Sequence, residues 1–354
     1  MNNSVQTAVV GVTGYAGAEL ARLLLHHPRL QGRPPVFAGR VDAADEARGG
    51  IPLSEIHPQL AGSLTGNLKQ EQFSWELLAG RGVEVLFLAT PHEQSREWVP
   101  EALARGLRVI DLSGAWRLTQ AANRVIYGFT DEGTERASAT QAQAVYGMPE
   151  LHRAKIAGAR LVANPGCYAT SVILALKPLV EPGVLDLTLG IVADSKSGVS
   201  GAGKAPTAKT HFMYAADNLS AYSVFTHRHI GELLEQISLN SEQIVFTPHL
   251  LPIPRGILST IYVRFLNPQT RESISKIYRN FFAERPLVRL SSQSLPQIQN
   301  SVRTSYADIG FELAPDGHRA VIVSCLDNLL KGASSQAVQN LNLMQGWHEA
   351  EGLE

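Results

Sequence analysis

The sequence predicts an α/β protein in which a doubly wound, mostly parallel dinucleotide-binding sheet is joined to an α+β domain. Buried strand patterns alternate with helical patterns in the first third of the chain, and a glycine-rich turn follows the first of these strands. In the second half, strands and helices fall into separate groups. The length of 354 residues exceeds one ordinary core, so two domains are expected.

Continuous apolar runs and helical spacing identify the elements of the first domain. The run EVLFLA is typical of a strand buried on both faces of a parallel sheet, and Leu20, Leu23 and Leu24 recur at the spacing of a helix. The predicted strands are Thr7–Val12, Pro35–Gly39, Glu84–Ala89 and Arg108–Leu112, and the predicted helices are Ala18–His27 and Ser95–Arg105.

The second half contains β-branched or alternating strand patterns, separated by helical stretches. The predicted strands are Leu189–Ala193, Ile244–His249, Leu258–Phe265 and His318–Cys325. The predicted helices are Tyr168–Leu179, Ile230–Ser238, Arg271–Phe282 and Gly332–Met344, the last of which is strongly amphipathic.

Charge and cysteine usage indicate an ordinary cytoplasmic enzyme. The formal net charge of −1 gives no electrostatic footprint for nucleic acid or an anionic membrane. Neither a signal peptide nor a bilayer-spanning apolar run is recognisable, and two cysteines fit reduced thiols better than a disulfide framework. We therefore expect a cytoplasmic protein without a nucleic-acid or membrane partner.

The segment Gly11–Gly17 (GVTGYAG) joins the first strand to the first helix. Glycines allow a tight turn close to a pyrophosphate, and the helix N-terminus supplies free N–H groups and a positive dipole end. The alternative is a turn that only packs the helix on the strand. The residues expected to contact a dinucleotide here are Gly11, Thr13, Gly14, Tyr15, Ala16 and Gly17.

Two further positions lie where such sheets bind their cofactor. Arg40 follows the second strand, where an arginine accommodates the 2′-phosphate of NADP, although it could also be a solvated surface residue. Pro91, between Thr90 and His92, follows the strand EVLFLA at the carboxyl edge of the sheet. His92 is equally compatible with a plain loop histidine.

Cys167 is the candidate nucleophile. The preceding Pro165-Gly166 forces a turn, and a helix is predicted to begin at once, so the helix dipole and free N–H groups favour a thiolate and can bind an oxyanion. From spacing alone, a structural thiol is an equal alternative. Cys325 lies within an apolar strand pattern and is expected to be a core residue.

His227 and His229 are the candidate bases, because they stand just before a predicted helix in the segment THRHIGEL. Two ordinary surface histidines are the alternative. Although His-x-His could bind a metal, no matching cluster of cysteines or carboxylates accompanies it, so no metal is expected.

Taken together, these motifs resemble the N-acetyl-gamma-glutamyl-phosphate reductase family, which is related to aspartate-semialdehyde dehydrogenase. The resemblance extends from end to end, in the family's order. The matching stretches are GVTGYAG (11–17), VIDLSGAWRL (109–118), YGMP (146–149), LVANPGCY (161–168), SGVSGAG (197–203), HRH (227–229), FTPHLLPIPRGIL (246–258) and DNLLKGASSQAVQN (327–340).

The resemblance implies an NADP-dependent reductase of arginine biosynthesis. Cys167 attacks the acyl phosphate and expels inorganic phosphate, and the resulting thioester is reduced with NADPH to N-acetylglutamate 5-semialdehyde. His227 or His229 is the implied acid/base. The implied domains are residues 1–166 with 326–354 for NADP, and 167–325 for substrate and oligomerisation. The last helix is expected to pack on the first domain.

Further roles follow from the same resemblance together with residue chemistry. A serine and glycine loop, 197–203, can present donors to phosphate, although a flexible turn is the alternative. Arg117 and Arg255 can grip phosphate or carboxylate, although either could form a structural ion pair. Ser197, Gly198 and Asn328 are assigned to the cofactor, and Arg117, Asn164, Ser200, Gly201 and Arg255 to the substrate.

Two alternative functions remain open at this stage. A related reductase could act on a carrier-borne aminoadipyl phosphate in lysine biosynthesis, because one methylene changes binding by only about 1–3 kcal/mol. A non-catalytic dinucleotide-binding sensor is the other, although the thiol and both histidines are present. A homodimer or homotetramer is expected from the family.

Overall fold

The computed structural model describes residues 5–62, 68–129 and 135–354, and the chain divides into two compact units. The first comprises 1–117, 131–164 and 334–354, and the second comprises 118–130 and 165–333. The predicted boundaries placed 118–129, 165–166 and 326–333 in the first domain, whereas the structure groups these stretches with the second unit. Leu118 lies against Gly231, and Asp327 pairs with Arg255. The assignment of a function to each domain stays a prediction.

Within the described residues, the first unit contains an eight-stranded sheet in the order β3-β4-β2-β1-β5-β6-β8-β7. All neighbours are parallel except β3 and β4. This confirms the predicted mostly parallel sheet. The strands are β1 Thr7–Val10, β2 Val36–Gly39, β3 Ile51–Pro52, β4 Lys69–Gln72, β5 Val85–Leu88, β6 Arg108–Asp111, β7 Ala144–Tyr146 and β8 Leu161–Ala163.

The centre of this sheet is apolar because helices cover it. Val9 of β1 lies between Phe37 of β2 and Phe87 of β5, and all three side chains are buried. The α-helices of the first unit are Tyr15–His26, Ala43–Ala47, Leu53–Ile56, Trp75–Gly80, His92–Ala104, Glu135–Gln143, Pro149–Ala157 and Ser335–Gln345, with a 3-10 turn at Pro58–Leu60.

The last helix belongs to the first unit, as the sequence predicted. Ser335–Gln345 packs against Pro149–Ala157 and Tyr15–His26. It begins later than the predicted Gly332, because a π-helical turn occupies Leu330–Ser334. On this helix, Asn340 Nδ2 donates a hydrogen bond to the carbonyl oxygen of Gly147 at 2.8 Å.

The second unit contains a mixed seven-stranded sheet among the described residues, in the order β10-β11-β9-β12-β15-β14-β13. The pairs β11–β9 and β14–β13 are parallel and the others antiparallel, so the predicted α+β class is confirmed. The strands are β9 Ile191–Gly198, β10 Ser220–Ala221, β11 Ile244–Leu251, β12 Ile257–Arg264, β13 Val288–Leu290, β14 Ala307–Leu313 and β15 Arg319–Leu326.

A buried helix, Cys167–Val180, covers one face of this sheet. It packs against β12 and β15, and its Ser171 hydroxyl donates to Ser259 at 2.9 Å and Ser324 at 3.1 Å. The other α-helices of the second unit are Ala121–Arg124, Phe212–Ala215, Ile230–Ile237, Arg271–Phe281 and Ile298–Ser301, with 3-10 turns at Val125–Tyr127 and Val199–Ala202. The sheet thus fixes the helix at whose first position Cys167 stands.

Candidate active site

Glycines shape the turn between β1 and helix Tyr15–His26 where no side chain would fit. Gly11 has φ +96°, and a Cβ built on it would lie 2.4 Å from the Ala89 carbonyl oxygen. A Cβ on Gly17 would lie 2.1 Å from the Gly11 carbonyl oxygen. No side chain hydrogen-bonds the Gly14 N-cap of this helix in the described structure. A bare helix N-terminus with a tight glycine turn fits the pyrophosphate of a dinucleotide.

A cavity of about 500 Å³ opens at this turn, at the carboxyl edge of β1, β2 and β5. Gly11, Thr13 and Gly14 line it, as do Arg40 and Pro91, so five of the predicted cofactor residues share one cavity. The position of Arg40 fits a 2′-phosphate. The cavity is also lined by residues that the sequence did not single out, namely Gln70, Gln72, Phe73, Gln94 and Trp98.

The remaining residues of the glycine segment do not line that cavity. Tyr15 is half exposed, and the carbonyl oxygen of Ala16 accepts a hydrogen bond from Ser334 Oγ at 2.7 Å. Gly17 contributes to the turn because a side chain at this position would collide with the Gly11 carbonyl oxygen. His92 is the first residue of helix His92–Ala104 rather than a loop residue, and its Nε2 lies 2.9 Å from a carboxylate oxygen of Glu93.

Cys167 is the first residue of helix Cys167–Val180, and Gly166 is its N-cap. The thiol is partly accessible, whereas Cys325 is buried in β15, and neither cysteine is in a disulfide. Gly332 lies directly against Cys167, since a Cβ built on it would come 2.7 Å from the Cβ of Cys167. The thiol therefore stands at the positive end of a well-packed helix, as predicted.

His229 lies against the residue that precedes the thiol. A Cβ built on Gly166 would come 2.3 Å from His229 Nε2. Behind this contact, the carboxylate of Glu232 is fully buried and accepts hydrogen bonds from the Gly166 backbone N–H at 2.9 Å and the Tyr127 hydroxyl at 3.1 Å. Glu232 Oε1 is 4.0 Å from His229 Nε2. This carboxylate was not predicted, although its position three residues after His229 is a detectable signal.

His227 occupies a different environment from His229. Its ring lies among aromatic rings, with the Tyr168, Tyr222 and Phe246 centroids 5.4–5.5 Å away. Burial, assisted by the neighbouring Arg228 charge, lowers the pKa of His227 to about 4. Its Nδ1 accepts a hydrogen bond from the His229 backbone N–H at 3.2 Å. His227 is therefore neutral at physiological pH.

Cys167, His227 and His229 line one cavity of about 240 Å³, so the structure brings the three predicted catalytic residues together. Burial raises the pKa of Tyr222, another lining residue, to about 12, so its hydroxyl stays protonated. The other lining residues are Tyr168, Ser197, Gly201, Ala202, Thr207, Lys209, Thr210, Ser220, Arg228 and Leu250.

The serine and glycine loop that follows β9 is held by Asn328. The Asn328 side chain donates to Ser200 Oγ at 2.9 Å and accepts from the Gly256 backbone N–H at 2.8 Å. Gly198 permits a close approach to the neighbouring strand, because a Cβ there would lie 2.6 Å from the Arg255 nitrogen. Of this group, Ser197 and Gly201 line the cavity of Cys167.

Arg117, Asn164 and Arg255 were predicted to bind substrate, and each has internal partners. Arg117 is buried and donates to the carbonyl oxygens of Asn164 at 2.7 Å and Leu112 at 2.8 Å. The Asn164 side chain is buried and accepts from Asn340. Arg255 forms an ion pair of 3.0 Å with the buried Asp327. Arg255 thus forms the structural ion pair that the sequence left open, whereas the contacts described for Arg117 are to backbone carbonyl oxygens.

Metal-binding clusters and membrane-spanning helices are both absent from the described residues. Within 5–62, 68–129 and 135–354, no three His, Cys, Asp or Glu side chains group so that they could hold a metal ion. In the same ranges, no helix has the length and apolar character needed to cross a membrane.

Two protein-family models match the chain. Residues 6–159 match the NAD binding domain of semialdehyde dehydrogenase, and residues 167–328 match its dimerisation domain. Among solved structures, aspartate semialdehyde dehydrogenase II of Vibrio cholerae has a TM-score of 0.68 at 17% identity, over 97% of this chain and 99% of that one. The enzyme of Candida albicans, crystallised with NADP, has a TM-score of 0.64 at 15% identity, over 97% of this chain and 99% of that one.

The fold and the matched domains thus define a protein of the semialdehyde dehydrogenase class. The chain is 40% identical to the N-acetyl-gamma-glutamyl-phosphate reductase of Methanothrix thermoacetophila, over 99% of this chain and 98% of that relative. It is 39% identical to the reductase of the same name from Methanocaldococcus jannaschii, over 98% of this chain and 97% of that relative. The chain belongs to the N-acetyl-gamma-glutamyl-phosphate reductase family, which confirms the resemblance seen in the sequence.

Proposed function

We propose that the chain reduces N-acetyl-gamma-glutamyl phosphate to N-acetylglutamate 5-semialdehyde and releases phosphate, as a step of arginine biosynthesis. The observation that carries this proposal is the geometry around Cys167: a nucleophile at a helix N-terminus, with His229 against the preceding Gly166 and a buried carboxylate behind it. Family membership supplies the substrate.

The side chains divide the chemistry of the acyl transfer. His229 takes the proton of the Cys167 thiol, and the sulfur attacks the acyl carbon. The bond from this carbon to the phosphate oxygen breaks, phosphate leaves, and the acyl group remains on sulfur as a thioester. Glu232 holds Gly166 and faces His229, so it orients the base and stabilises its charged form. His227, held neutral, fixes the backbone of His229.

The cofactor of this proposal is NADP. When bound, NADPH supplies the hydride that reduces the acyl group. Gly11, Gly14 and Gly17 shape the turn for its pyrophosphate, and Arg40 and Pro91 line the cavity beside it. After reduction, His229 gives its proton to the oxygen. As the carbon–sulfur bond breaks and the aldehyde carbonyl forms, His229 takes this proton back and passes it to the departing sulfur, which restores the Cys167 thiol.

Assembly and location complete the proposal. The match of 167–328 to a dimerisation domain indicates a homo-oligomer, which we propose is a homodimer or homotetramer. The two free cysteines and the near-neutral charge favour a cytoplasmic enzyme with no nucleic-acid or membrane partner.

A reverse-direction assay tests the proposal. The chain is given N-acetylglutamate 5-semialdehyde, NADP and phosphate, and the native protein is compared with Cys167→Ser. Phosphate-dependent formation of NADPH that disappears in the variant is the expected result. Activity that survives in Cys167→Ser would remove this residue as the nucleophile.

The assay also separates the two alternatives. If the native protein is inactive with N-acetylglutamate 5-semialdehyde but active with the aminoadipate homologue, the lysine-pathway reductase is supported. Inactivity with both substrates would support the sensor. No observation favours either alternative at present, since the relatives compared above carry the glutamyl name.

A further inference from the structure

Two cations line the cavity around Cys167 and have no ion-pair partner among the described residues. Lys209 and Arg228 both line it, and no aspartate or glutamate does. In the described part of the chain, neither side chain forms an ion pair; Arg228 instead lies over the Tyr127 ring, 5.7 Å from its centroid. A small cavity with two cations and no anion favours a ligand with more than one negative charge.

The arginines that the sequence nominated for this task do not line the cavity. Arg255 is paired with the buried Asp327, and Arg117 donates to backbone carbonyls of the first unit. Moving either guanidinium toward a ligand would leave buried acceptors without their charged donor, which is unfavourable. Recognition of the anionic substrate therefore needs other cations.

We propose that Lys209 and Arg228 divide the two anionic ends of the substrate, with Lys209 binding the phosphoryl group and Arg228 the carboxylate. The proposal rests on the proposed function. Its chemistry follows from the side chains, because an ammonium is a compact point charge that suits phosphate, whereas a guanidinium is a planar fork that suits carboxylate.

The surroundings of each cation favour this division. Lys209 lies between Thr207 and Thr210, whose hydroxyls are 3.0 Å apart and whose side chains line the same cavity. Phosphate accepts hydrogen bonds from such hydroxyls. Arg228 stands between the two histidines in the chain and against an aromatic ring, a contact that orients a planar guanidinium.

The reverse reaction separates the two ends, because phosphate and the semialdehyde are then different substrates. We expect Lys209→Gln to raise the KM for phosphate about tenfold or more, while the KM for the semialdehyde changes less than about twofold. Arg228→Gln should do the opposite. Lys276→Gln, an exposed lysine on helix Arg271–Phe281, is the control and should change neither KM.

The division would be overturned if both variants changed both KM values equally or changed neither. It would also be overturned if Lys209→Gln raised the KM for the semialdehyde and Arg228→Gln the KM for phosphate. A second measurement does not depend on turnover: inorganic phosphate should slow alkylation of Cys167 by iodoacetamide in the native chain but not in Lys209→Gln. The same protection in both proteins, or none in the native chain, would refute the role of Lys209. If protection behaves as expected while the native chain is inactive, the proposed function fails and the phosphate site remains.

Discussion

The buried carboxylate of Glu232 accepts a hydrogen bond of 2.9 Å from the backbone N–H of Gly166, the residue directly before Cys167. This bond fixes the N-cap of the helix that begins with Cys167, the proposed nucleophile. The same carboxylate approaches His229 to 4.0 Å, so one side chain connects the helix N-terminus with the proposed base. We infer that Glu232 is a positioning residue for Cys167 and His229.

Replacement of Glu232 by Gln should slow the reaction without a comparable change in KM. An amide cannot accept from both Gly166 N–H and Tyr127 OH without turning its own donors toward one of them, and the charge facing His229 is lost. We expect kcat to fall at least about tenfold. The free energy of unfolding should fall by about 1–3 kcal/mol. Tyr127→Phe, which removes only one donor, should have a smaller effect.

A pH profile separates the positioning role from simple loss of stability. If Glu232 stabilises the charged imidazole of His229, the acidic limb of the kcat profile should move to lower pH in Glu232→Gln. A profile of unchanged shape, with activity reduced only in proportion to unfolded protein, would show a purely structural role.

The two histidines should differ in their importance for catalysis. His229→Gln should lower kcat/KM by about 10²–10⁴, the usual contribution of a general acid/base. His227→Gln should have a smaller effect, because a ring with a pKa of about 4 is a weak base for a thiol proton and its observed contact is to the His229 backbone. Steady-state assays on both variants decide the order. A larger loss in His227→Gln would reverse the assignment.

Burial of His227 should make the fold less stable in acid. Its pKa lies at about 4 in the folded chain against an ordinary 6.5, so between these values the unfolded chain binds the extra proton. The free energy of unfolding should therefore rise with pH across this window, by up to about 3 kcal/mol from this residue. Urea denaturation from pH 4 to 7 measures it. His227→Asn should flatten the rise, and an identical pH dependence would contradict the burial argument.

Gly17→Ala should weaken dinucleotide binding. Its new Cβ would lie 2.1 Å from the Gly11 carbonyl oxygen, so the strand-to-helix turn must open. Strain of this kind costs about 1–3 kcal/mol, and the Kd for NADPH should rise by a similar free energy. Fluorescence titration measures the Kd, and thermal unfolding measures the strain. Gly32→Ala, which meets no atom within 4 Å, is the matched control; equal Kd values in the two variants would disprove the tight-turn argument.

The sequence alone determined the order of the elements whose letters match their burial. The central strands β1, β5 and β6 were predicted because apolar runs form strands when both faces of a sheet are covered. Strand β4 was missed, since KQEQ contains no apolar residue. It is a strand because its backbone pairs with β2 and β3. That pairing also places Gln70 and Gln72 in the lining of the cavity at the Gly11–Gly17 turn.

For the site, the sequence determined what local structure can express: a thiol at a helix start, and histidines before a second helix. Whether a charged side chain faces a ligand or an internal partner was decided only by the tertiary structure. Arg255 meets Asp327 across 72 residues of chain, and Glu232 meets Gly166 across 66. Such long-range contacts leave no periodic signal in the sequence, because they depend on which elements the core brings side by side.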